Sequence, residues 1–343
     1  MSYVPAARPL LWPLVPAYRL TVALRELRLR LGLEPVRRLR WPVISIGSLS
    51  AGGAGKTPLA IALAQALTAR GLHVDVLSRG YGRKSRTTAR VDPNGTADQF
   101  GDEPLTIARE AAVPVYVAPR RYQAGLLAEL ARPASVQPAV HLLDDGFQHR
   151  QLGRDVDILL FNRDDLNDHL LPAGNLREPF RSVRRCAVIA IPAADPDLES
   201  EVRALGWQGK LWRLRRTMQV PQISGPVAAF CGIARPKQFF AGLESAGLHV
   251  ASRIAFPDHH RYDAHDLACL RDAASIVRAT ALLTTEKDRV RLGNLAASIP
   301  ASLPLTSVVL RVSIEDEGAV MNWLIEHAAL DRLTPSRRSS SGT

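Results

Sequence analysis

The chain has 343 residues, of which 46% are hydrophobic, and carries a formal net charge of +11 at pH 7. This composition is enough for two domains of ordinary size and excludes wholesale disorder, collagen and low-complexity fibres. Three cysteines exclude a disulfide scaffold, and no uninterrupted apolar run is long enough to predict a membrane-spanning helix. We expect no cleavable signal peptide. The positive charge indicates an anionic partner without identifying it.

The first forty residues hold eight arginines against two glutamates, which is over half of the net charge. Leucines recur there at the spacing of one helix face, at Leu20, Leu24, Leu27 and Leu31. Two interpretations stay open. The stripe could pack against the core as in an ordinary amphipathic helix. Alternatively, a basic helix could lie in the interface of an anionic membrane, with Trp12 and Tyr18 at headgroup depth.

Beyond this segment, residues 41–192 alternate strand-length apolar runs with helical patterns, which predicts a parallel sheet with helices on both faces. Residues 226–292 repeat the pattern on a smaller scale and predict a second, smaller α/β lobe. Two stretches, 210–217 and 307–314, are interpreted as strands that cross between the lobes. The predicted segments are a basic N-terminal segment (1–40), a first lobe (41–209), a second lobe (218–306), a C-terminal helix (315–331) and a disordered tail (332–343).

A glycine-rich loop joins the strand predicted at 42–47 to a helical pattern. It matches the Walker A pattern G-x-x-x-x-G-K-[ST] except at the first glycine, where Ser50 stands. Glycines let backbone N–H groups turn toward a phosphate, and the following helix points its positive end at the same anion. Lys56 is expected to reach the β- and γ-phosphates of ATP, and Thr57 to hold Mg²⁺. The predicted nucleotide-binding residues of the loop are Ser50, Ala51, Gly52, Gly53, Ala54, Gly55, Lys56 and Thr57.

A second apolar strand ends in Asp144 and Asp145. A P-loop enzyme needs an acid at the tip of a neighbouring strand to hold Mg²⁺, and the spacing does not choose between these two carboxylates. Arg177 and Glu178 follow a Pro-Ala-Gly-Asn turn. Arg177 could clamp the transferring phosphoryl group, and Glu178 could complete the metal shell with Thr57 and Asp145.

Three further stretches hold candidates for the site. Asp102 precedes a helical pattern and, taken alone, is typical of a helix N-cap. His259 stands beside an acid that could orient it as a general base near neutral pH, and His260 is the competing choice. Lys287 and Asp288 follow an apolar strand and are predicted to contact the nucleotide, since a Lys-Asp pair is also found in base-reading loops.

Eight motifs occur in order along the chain: GSLSAGGAGKTP (47–58), LSRGYGRKS (77–85), GDEP (101–104), LLDDGFQHR (142–150), LLPAGNLREP (170–179), FCGIARP (230–236), FPDHH (256–260) and TTEKD (284–288). Together they resemble the tetraacyldisaccharide 4'-kinase family of the Gram-negative lipid A pathway, over roughly residues 40–315. DDGFQH with LREP and a downstream DH is far more specific than any single P-loop. That family also has a hydroxyl residue at the position of Ser50.

The resemblance implies a P-loop NTPase-like α/β fold, with two lobes joined by a two-stranded link around a cleft. It implies transfer of the γ-phosphoryl group of ATP, with Mg²⁺, to the 4'-hydroxyl of tetraacyldisaccharide 1-phosphate. Asp102 and His259 would form a catalytic pair, assisted by Lys56 and Arg177. The implied partners are this acylated disaccharide phosphate lipid and an anionic membrane surface, with a peripheral location on the cytoplasmic face of the inner membrane and no obligate protein partner.

Three rival functions fit less well. A P-loop GTPase or metal-insertion chaperone would need an N-K-x-D motif in the first lobe, and the sequence has none there. A nucleic-acid-binding ATPase would interleave aromatic residues with basic ones, yet aromatic residues make up only 6% and the basic excess is N-terminal. No nucleic acid partner is therefore expected. A non-catalytic scaffold is disfavoured because a Walker A loop and an acidic strand tip share no packing purpose.

Overall fold

The computed structural model describes residues 8–131 and 138–328 of the chain. Within these residues, twelve strands join one sheet. The strands are β1 (Val43–Ser48), β2 (His73–Ser78), β3 (Ala89–Arg90), β4 (Val115–Val117), β5 (Ala139–Asp144), β6 (Val156–Leu160), β7 (Val188–Pro192), β8 (Lys210–Gln219), β9 (Pro226–Cys231), β10 (His249–Ala255), β11 (Ala281–Thr285) and β12 (Leu305–Ile314).

Helices alternate with most of these strands. The α-helices are α1 (Val15–Arg30), α2 (Lys56–Thr68), α3 (Ala97–Phe100), α4 (Asp102–Ala111), α5 (Arg121–Leu130), α6 (Arg163–Leu166), α7 (Asp197–Ala204), α8 (Pro236–Ser245), α9 (Ala264–Ile276), α10 (Glu286–Leu292) and α11 (Glu317–His327). Short 3₁₀ helices span Pro9–Leu14, Phe180–Arg185 and Gly293–Ser298. The α/β prediction is confirmed.

The sheet consists of two parallel blocks. Its strand order is β10-β9-β11-β12-β8-β7-β6-β1-β5-β2-β4-β3. In the first block, β8, β7, β6, β1, β5, β2 and β4 run parallel, and only the short edge strand β3 is antiparallel. In the second block, β10, β9, β11 and β12 run parallel. The blocks meet where β8 pairs antiparallel with β12.

The register at this junction decides where the cleft lies. The first part of β8, Lys210 to Leu214, pairs with β7, and its remainder pairs with β12. Likewise, β12 pairs with β11 up to Val308 and with β8 from Val309 onward. The two blocks are therefore joined by the paired segments of β8 and β12. These segments are about 17 Å long, at about 3.4 Å per residue. The carboxyl ends of both sets of parallel strands face each other across this junction.

Alternating side chains cover both faces of the sheet, as expected for parallel strands enclosed by helices. On β1, Ile44 and Ile46 join the largest apolar core together with α2, whereas Val43 points into a second core on the other face. On β9, Phe230 and Ala229 enter two separate cores in the same way. The predicted apolar face of α2 is fully buried, at Leu59, Leu63 and Leu67.

The N-terminal helix does not bury its leucine stripe. Helix α1 has no buried residue, and the four leucines of the stripe are between 50% and 63% exposed. The interpretation in which this stripe packs against the core is therefore wrong. Leu10, Trp12 and Leu14 just before the helix are exposed as well. No helix in the described part of the chain is both long and apolar enough to cross a membrane.

Several predicted boundaries differ from the structure. Strands β8 and β12 extend beyond 210–217 and 307–314, because their ends pair with β12 and β11 as well as with each other. Helix α11 ends at His327, and the predicted tail at 332–343 lies outside the described residues. The prediction missed β3, which has only two residues. Whether the two blocks are separate domains stays a prediction.

Gly101 offers a test of how the fold places Asp102. It has a φ of +90°, and a Cβ there would stand 2.8 Å from the carbonyl oxygen of Tyr81. We expect Gly101→Ala to lower the free energy of unfolding by about 2–4 kcal/mol in chemical denaturation, because strain and a backbone clash add. Gly71→Ala is the matched control, with a φ of +80° and open space around its Cβ. Equal losses in the two variants would show that the clash is unimportant.

Candidate active site

The phosphate loop lies between β1 and α2. Gly52, Gly53 and Gly55 all have positive φ, which permits the turn that aims successive N–H groups inward. A Cβ on Gly53 would come 3.0 Å from the Arg235 side chain, and one on Gly55 would come 3.0 Å from Nη2 of Arg216. The glycines therefore also give room to two arginines, one from the loop after β9 and one from β8.

Lys56 and Thr57 open α2 and are both buried. Lys56 Nζ donates to Ser48 Oγ over 3.3 Å and lies 3.4 Å from Asp145 Oδ1. Its ammonium group thus stands between the phosphate loop and the acidic tip of β5. This is the position from which a lysine reaches the outer phosphates of a nucleotide.

The two acids at the end of β5 have pKa values that are shifted in opposite directions. Burial, together with the charges of Glu103 and Asp145, raises the pKa of Asp144 to about 7. Burial would also raise the pKa of Asp145, but Lys56 and Arg177 outweigh it and lower that pKa to about 2. Asp144 Oδ2 accepts from Ser78 Oγ over 3.1 Å, whereas its buried Oδ1 has no hydrogen-bond partner among the described residues.

The side chains of Asp144 and Thr57 have the chemistry of Mg²⁺ ligands, and their role as ligands stays a prediction. A buried carboxylate oxygen without a partner and a buried threonine hydroxyl line the same cleft, which suits a hard cation that prefers one or two carboxylates plus phosphate oxygens. Within 8–131 and 138–328, no three His, Cys, Asp or Glu side chains gather closely enough to hold a metal alone. Glu178 Oε2 accepts from Arg185 Nη2 over 2.7 Å, and its place in the metal shell stays a prediction.

Arg177 lies on the cleft wall beside the same carboxylate. Its Nη1 donates to Asp145 Oδ2 over 2.8 Å, to Asp145 Oδ1 over 3.0 Å and to Gln148 Oε1 over 3.3 Å. The guanidinium is thus held near the phosphate loop, and a transferring phosphoryl group could replace Asp145 as its partner. The predicted clamp is compatible with this placement.

Asp102 and His259 meet across the cleft, although they are 157 positions apart. His259 Nδ1 lies 3.2 Å from Asp102 Oδ2, and this hydrogen bond raises the pKa of His259. Asp102 is the first residue of α4, and Gly101 occupies the N-cap. Burial would raise the pKa of Asp102, but His259, Arg291 and Lys287 lower it well below its usual range. Asp102 is therefore a buried, ionised partner for the histidine.

His260 has a different environment from its neighbour. Its Nε2 lies 2.8 Å from Asp266 Oδ2, and its ring stacks on Phe256 at a centroid distance of 4.6 Å. His259, by contrast, lies edge-on to Tyr81 with a centroid distance of 5.1 Å. The geometry therefore brings His259, and not His260, to Asp102.

The Lys-Asp pair after β11 divides into two roles. Lys287 lines the cleft, and its Nζ donates to Glu103 Oε1 over 2.5 Å. Asp288 is fully buried, and its Oδ1 accepts from the Gly232 N–H over 3.1 Å and from Tyr262 Oη over 3.0 Å. A carboxylate enclosed in this way has no surface for a nucleotide, so the predicted nucleotide contact of Asp288 is not supported.

Side chains from both blocks line a cleft of about 930 Å³. The first block contributes the phosphate loop, Asp144, Asp145 and Arg177, and the second contributes Arg235, His259 and Lys287. Sequence reasoning missed four arginines at or next to the cleft: Arg121, Arg216, Arg235 and Arg291. Arg291 Nε donates to Asp102 Oδ2 over 2.7 Å, and Arg216 Nη2 donates to the Ala54 carbonyl over 2.7 Å. The chain is so rich in arginine that these positions carried no signal.

Comparison with known proteins identifies the family. The family model described as tetraacyldisaccharide-1-P 4'-kinase matches residues 7–329. The chain belongs to the tetraacyldisaccharide 4'-kinase family. Tetraacyldisaccharide 4'-kinase of Koribacter versatilis is 39% identical over 325 residues, covering 92% of this chain and 97% of that protein. The enzyme of the same name from Anaeromyxobacter dehalogenans is 42% identical over 317 residues, covering 84% and 82%.

A solved structure supports both the fold and the kinase assignment. The crystal structure of the "apo" form of LpxK from Aquifex aeolicus in complex with ATP matches with a TM-score of 0.73 and 31% identity. The match covers 93% of this chain and 99% of that one. This kinase therefore shares a P-loop fold with its relatives along nearly its whole length.

The phosphate loop generates a first functional prediction. We expect Lys56→Ala and Thr57→Ala to reduce turnover at least a hundredfold in a phosphoryl-transfer assay, because each removes a group placed for phosphate or Mg²⁺. Chemical denaturation should show both variants folded. Lys237→Ala, which removes an exposed lysine of α8, is the control and should keep full activity. Near-normal turnover in Lys56→Ala would contradict the assignment of this loop.

Proposed function

We propose that this cleft transfers the γ-phosphoryl group of ATP to the 4'-hydroxyl of tetraacyldisaccharide 1-phosphate, the reaction after which the family is named. The observation that carries the proposal is that His259, which is paired with Asp102, lines the same cleft as the phosphate loop. A hydroxyl is a poor nucleophile, and a positioned base typically contributes about 10²–10⁴-fold. The pair would supply such a base.

The phosphates of ATP would be held by the loop N–H groups, by Lys56 and by the start of α2. Thr57 and the acids at the tip of β5 would hold Mg²⁺, which when bound neutralises charge on the phosphates. Arg177 would leave Asp145 and contact the transferring group. The first block thus supplies the electrostatic stabilisation.

The acceptor hydroxyl would be activated by His259. With its Nδ1 proton directed at Asp102, the other ring nitrogen, Nε2, is left to accept the hydroxyl proton. Asp102 stays ionised because Arg291 and Lys287 stabilise its charge, so it fixes the tautomer and stabilises the imidazolium that forms. The hydroxyl oxygen then bonds to the γ-phosphorus as the bond to the β-phosphate bridging oxygen breaks, and ADP leaves.

The lipid substrate would be reached at a membrane surface. Around α1, apolar side chains are exposed beside basic ones, the combination that binds an anionic lipid interface. The exposed apolar residues are Leu10, Trp12, Leu14, Leu20, Leu24, Leu27, Leu31, Leu33 and Val36. We assign this surface to the anionic inner membrane, with the protein bound peripherally on the cytoplasmic face.

The catalytic pair is tested by transfer of label from [γ-³²P]ATP to tetraacyldisaccharide 1-phosphate in detergent. Asp102→Ala and His259→Ala should each lower kcat by about 10²–10³-fold, and the double variant should be little worse than the poorer single. His260→Ala is the matched control and should keep most of the activity. Multiplicative losses in the double variant would mean that the two residues act separately, and no labelled lipid from the wild type would refute the function.

A pH profile tests the protonation states. Asp102 raises the pKa of His259 above its usual 6.5, so kcat/KM should fall on the acid side as His259 becomes protonated around that raised pKa. In Asp102→Asn this stabilisation of the charged imidazole is lost. The acid limb should therefore move to lower pH, although the maximal rate is smaller. An acid limb that stays in place would show that it reports another group.

The membrane surface is tested by sedimentation with anionic vesicles. The double variant Leu24→Ser, Leu27→Ser removes exposed apolar area from α1, and binding should fall about tenfold or more. The control Leu205→Ser, Ile276→Ser removes two exposed apolar side chains elsewhere and should bind like the wild type. Added salt should weaken binding of all proteins, since part of it is electrostatic. Equal binding by both double variants would show that the exposed leucines of α1 do not bind the membrane.

A further inference from the structure

One loop contacts both the N-terminal segment and the phosphate loop. We call residues 168–178 the bridging segment. On one side it pairs with the entrance of the phosphate loop. The Ala51 N–H donates to the Asn175 carbonyl over 2.8 Å, and the Arg177 N–H donates to the Leu49 carbonyl over 2.7 Å. The position of the phosphate loop therefore depends on where the bridging segment lies.

The other side of the bridging segment is held by the N-terminal segment. Arg8 Nη1 donates to Asn175 Oδ1 over 2.6 Å, and Tyr18 Oη donates to the Arg177 carbonyl over 3.0 Å. The ring of Trp12 lies 4.6 Å from that of His169. These contacts come from the same turns that expose Leu10, Trp12 and Leu14. The surface assigned to the membrane is thus directly joined to the bridging segment.

Asn175 stands where the two sets of contacts meet. Asp168 Oδ2 accepts from its backbone N–H over 3.1 Å and from its Nδ2 over 2.7 Å. The amide plane is therefore fixed, with Oδ1 directed at Arg8 and the backbone carbonyl at Ala51. Removing the side chain would cut the link to Arg8 and leave the link to Ala51 intact.

We propose that Asn175 is a positioning residue that couples seating of the N-terminal segment on the membrane to the phosphate loop. A segment seated on lipid loses freedom, so Arg8 holds Asn175 more of the time, and the Asn175 carbonyl holds the Ala51 N–H. A loop that is already ordered pays less entropy when it binds a triphosphate. Anionic lipid therefore tightens ATP binding, and by linkage ATP tightens lipid binding by the same factor. The inference rests on the membrane part of the proposed function.

The test measures the affinity of the full chain for Mg²⁺ and a non-hydrolysable ATP analogue, with and without vesicles of phosphatidylglycerol and phosphatidylcholine. Wild-type affinity should rise about threefold to tenfold with vesicles. In Asn175→Ala and Arg8→Ala the rise should disappear, while affinity without vesicles stays near wild type. Sedimentation with vesicles should stay near wild type in Asn175→Ala and should fall in Arg8→Ala only as far as in Arg19→Ala, which loses the same charge. Arg8→Lys should restore part of the response. Arg19→Ala, which removes the same charge from an exposed position of α1, should keep the response.

Three results would overturn the coupling. A wild-type chain that sediments with vesicles but shows no change in affinity refutes it while leaving the membrane proposal intact. Variants that weaken nucleotide binding equally with and without vesicles would show a merely structural role for Asn175. A wild-type chain that fails to sediment refutes the membrane proposal and the coupling together, whereas labelled transfer in detergent would still support the kinase reaction.

Discussion

The antiparallel pairing of β8 with β12 is the constraint on which the site depends. In a sheet that was parallel throughout, all carboxyl ends would lie along one edge, and the loops after β9, β10 and β11 would extend that edge sideways. Here the antiparallel junction makes the parallel strands of the second block run opposite to those of the first. It also displaces the second block along the strand direction. The phosphate loop and His259 therefore face each other, and a phosphate donor and an acceptor can be held from opposite sides. Arg216 lies on β8 itself and contacts the phosphate loop, so the junction also forms one wall of the cleft.

Charge in the cleft is arranged so that neighbouring carboxylates differ in their proton affinity. Asp145 faces Lys56 and Arg177 and stays ionised, whereas Asp144 is buried among acids and holds a proton more tightly. A cation bound there would relieve that repulsion, as expected of a strand tip that serves Mg²⁺. Across the cleft, His259, Arg291 and Lys287 of the second block hold the pKa of Asp102 well below its usual range, so Asp102 stays ionised beside His259. Each of these ion pairs matters for stability because the groups are buried, and a buried charge without a partner would cost free energy.

Local features could be predicted from the sequence, and distant ones could not. The phosphate loop, its strand and its helix are contiguous, so pattern and spacing placed them correctly. The pairing of Asp102 with His259 spans 157 positions and came from family resemblance alone. Asp288 belongs to a Lys-Asp pair of the kind found in base-reading loops, yet its carboxylate is buried, because Thr285 caps α10 and donates a hydrogen bond to Asp288 Oδ2. The leucine stripe of α1 has the same spacing whether it packs on the core or stays exposed, so only the structure could exclude packing on the core.

In the proposed mechanism, the phosphate loop of the first block and His259 of the second block act on the same phosphoryl transfer. A crystal structure of the full chain with Mg²⁺, a non-hydrolysable ATP analogue and the disaccharide lipid tests it most directly. We expect the γ-phosphate to lie against Lys56 and Arg177, with the 4'-hydroxyl between the γ-phosphorus and Nε2 of His259, within about 3.5 Å of each. A γ-phosphate bound away from this cleft, or a 4'-hydroxyl more than about 8 Å from His259 while His259 contacts Asp102, would contradict this mechanism.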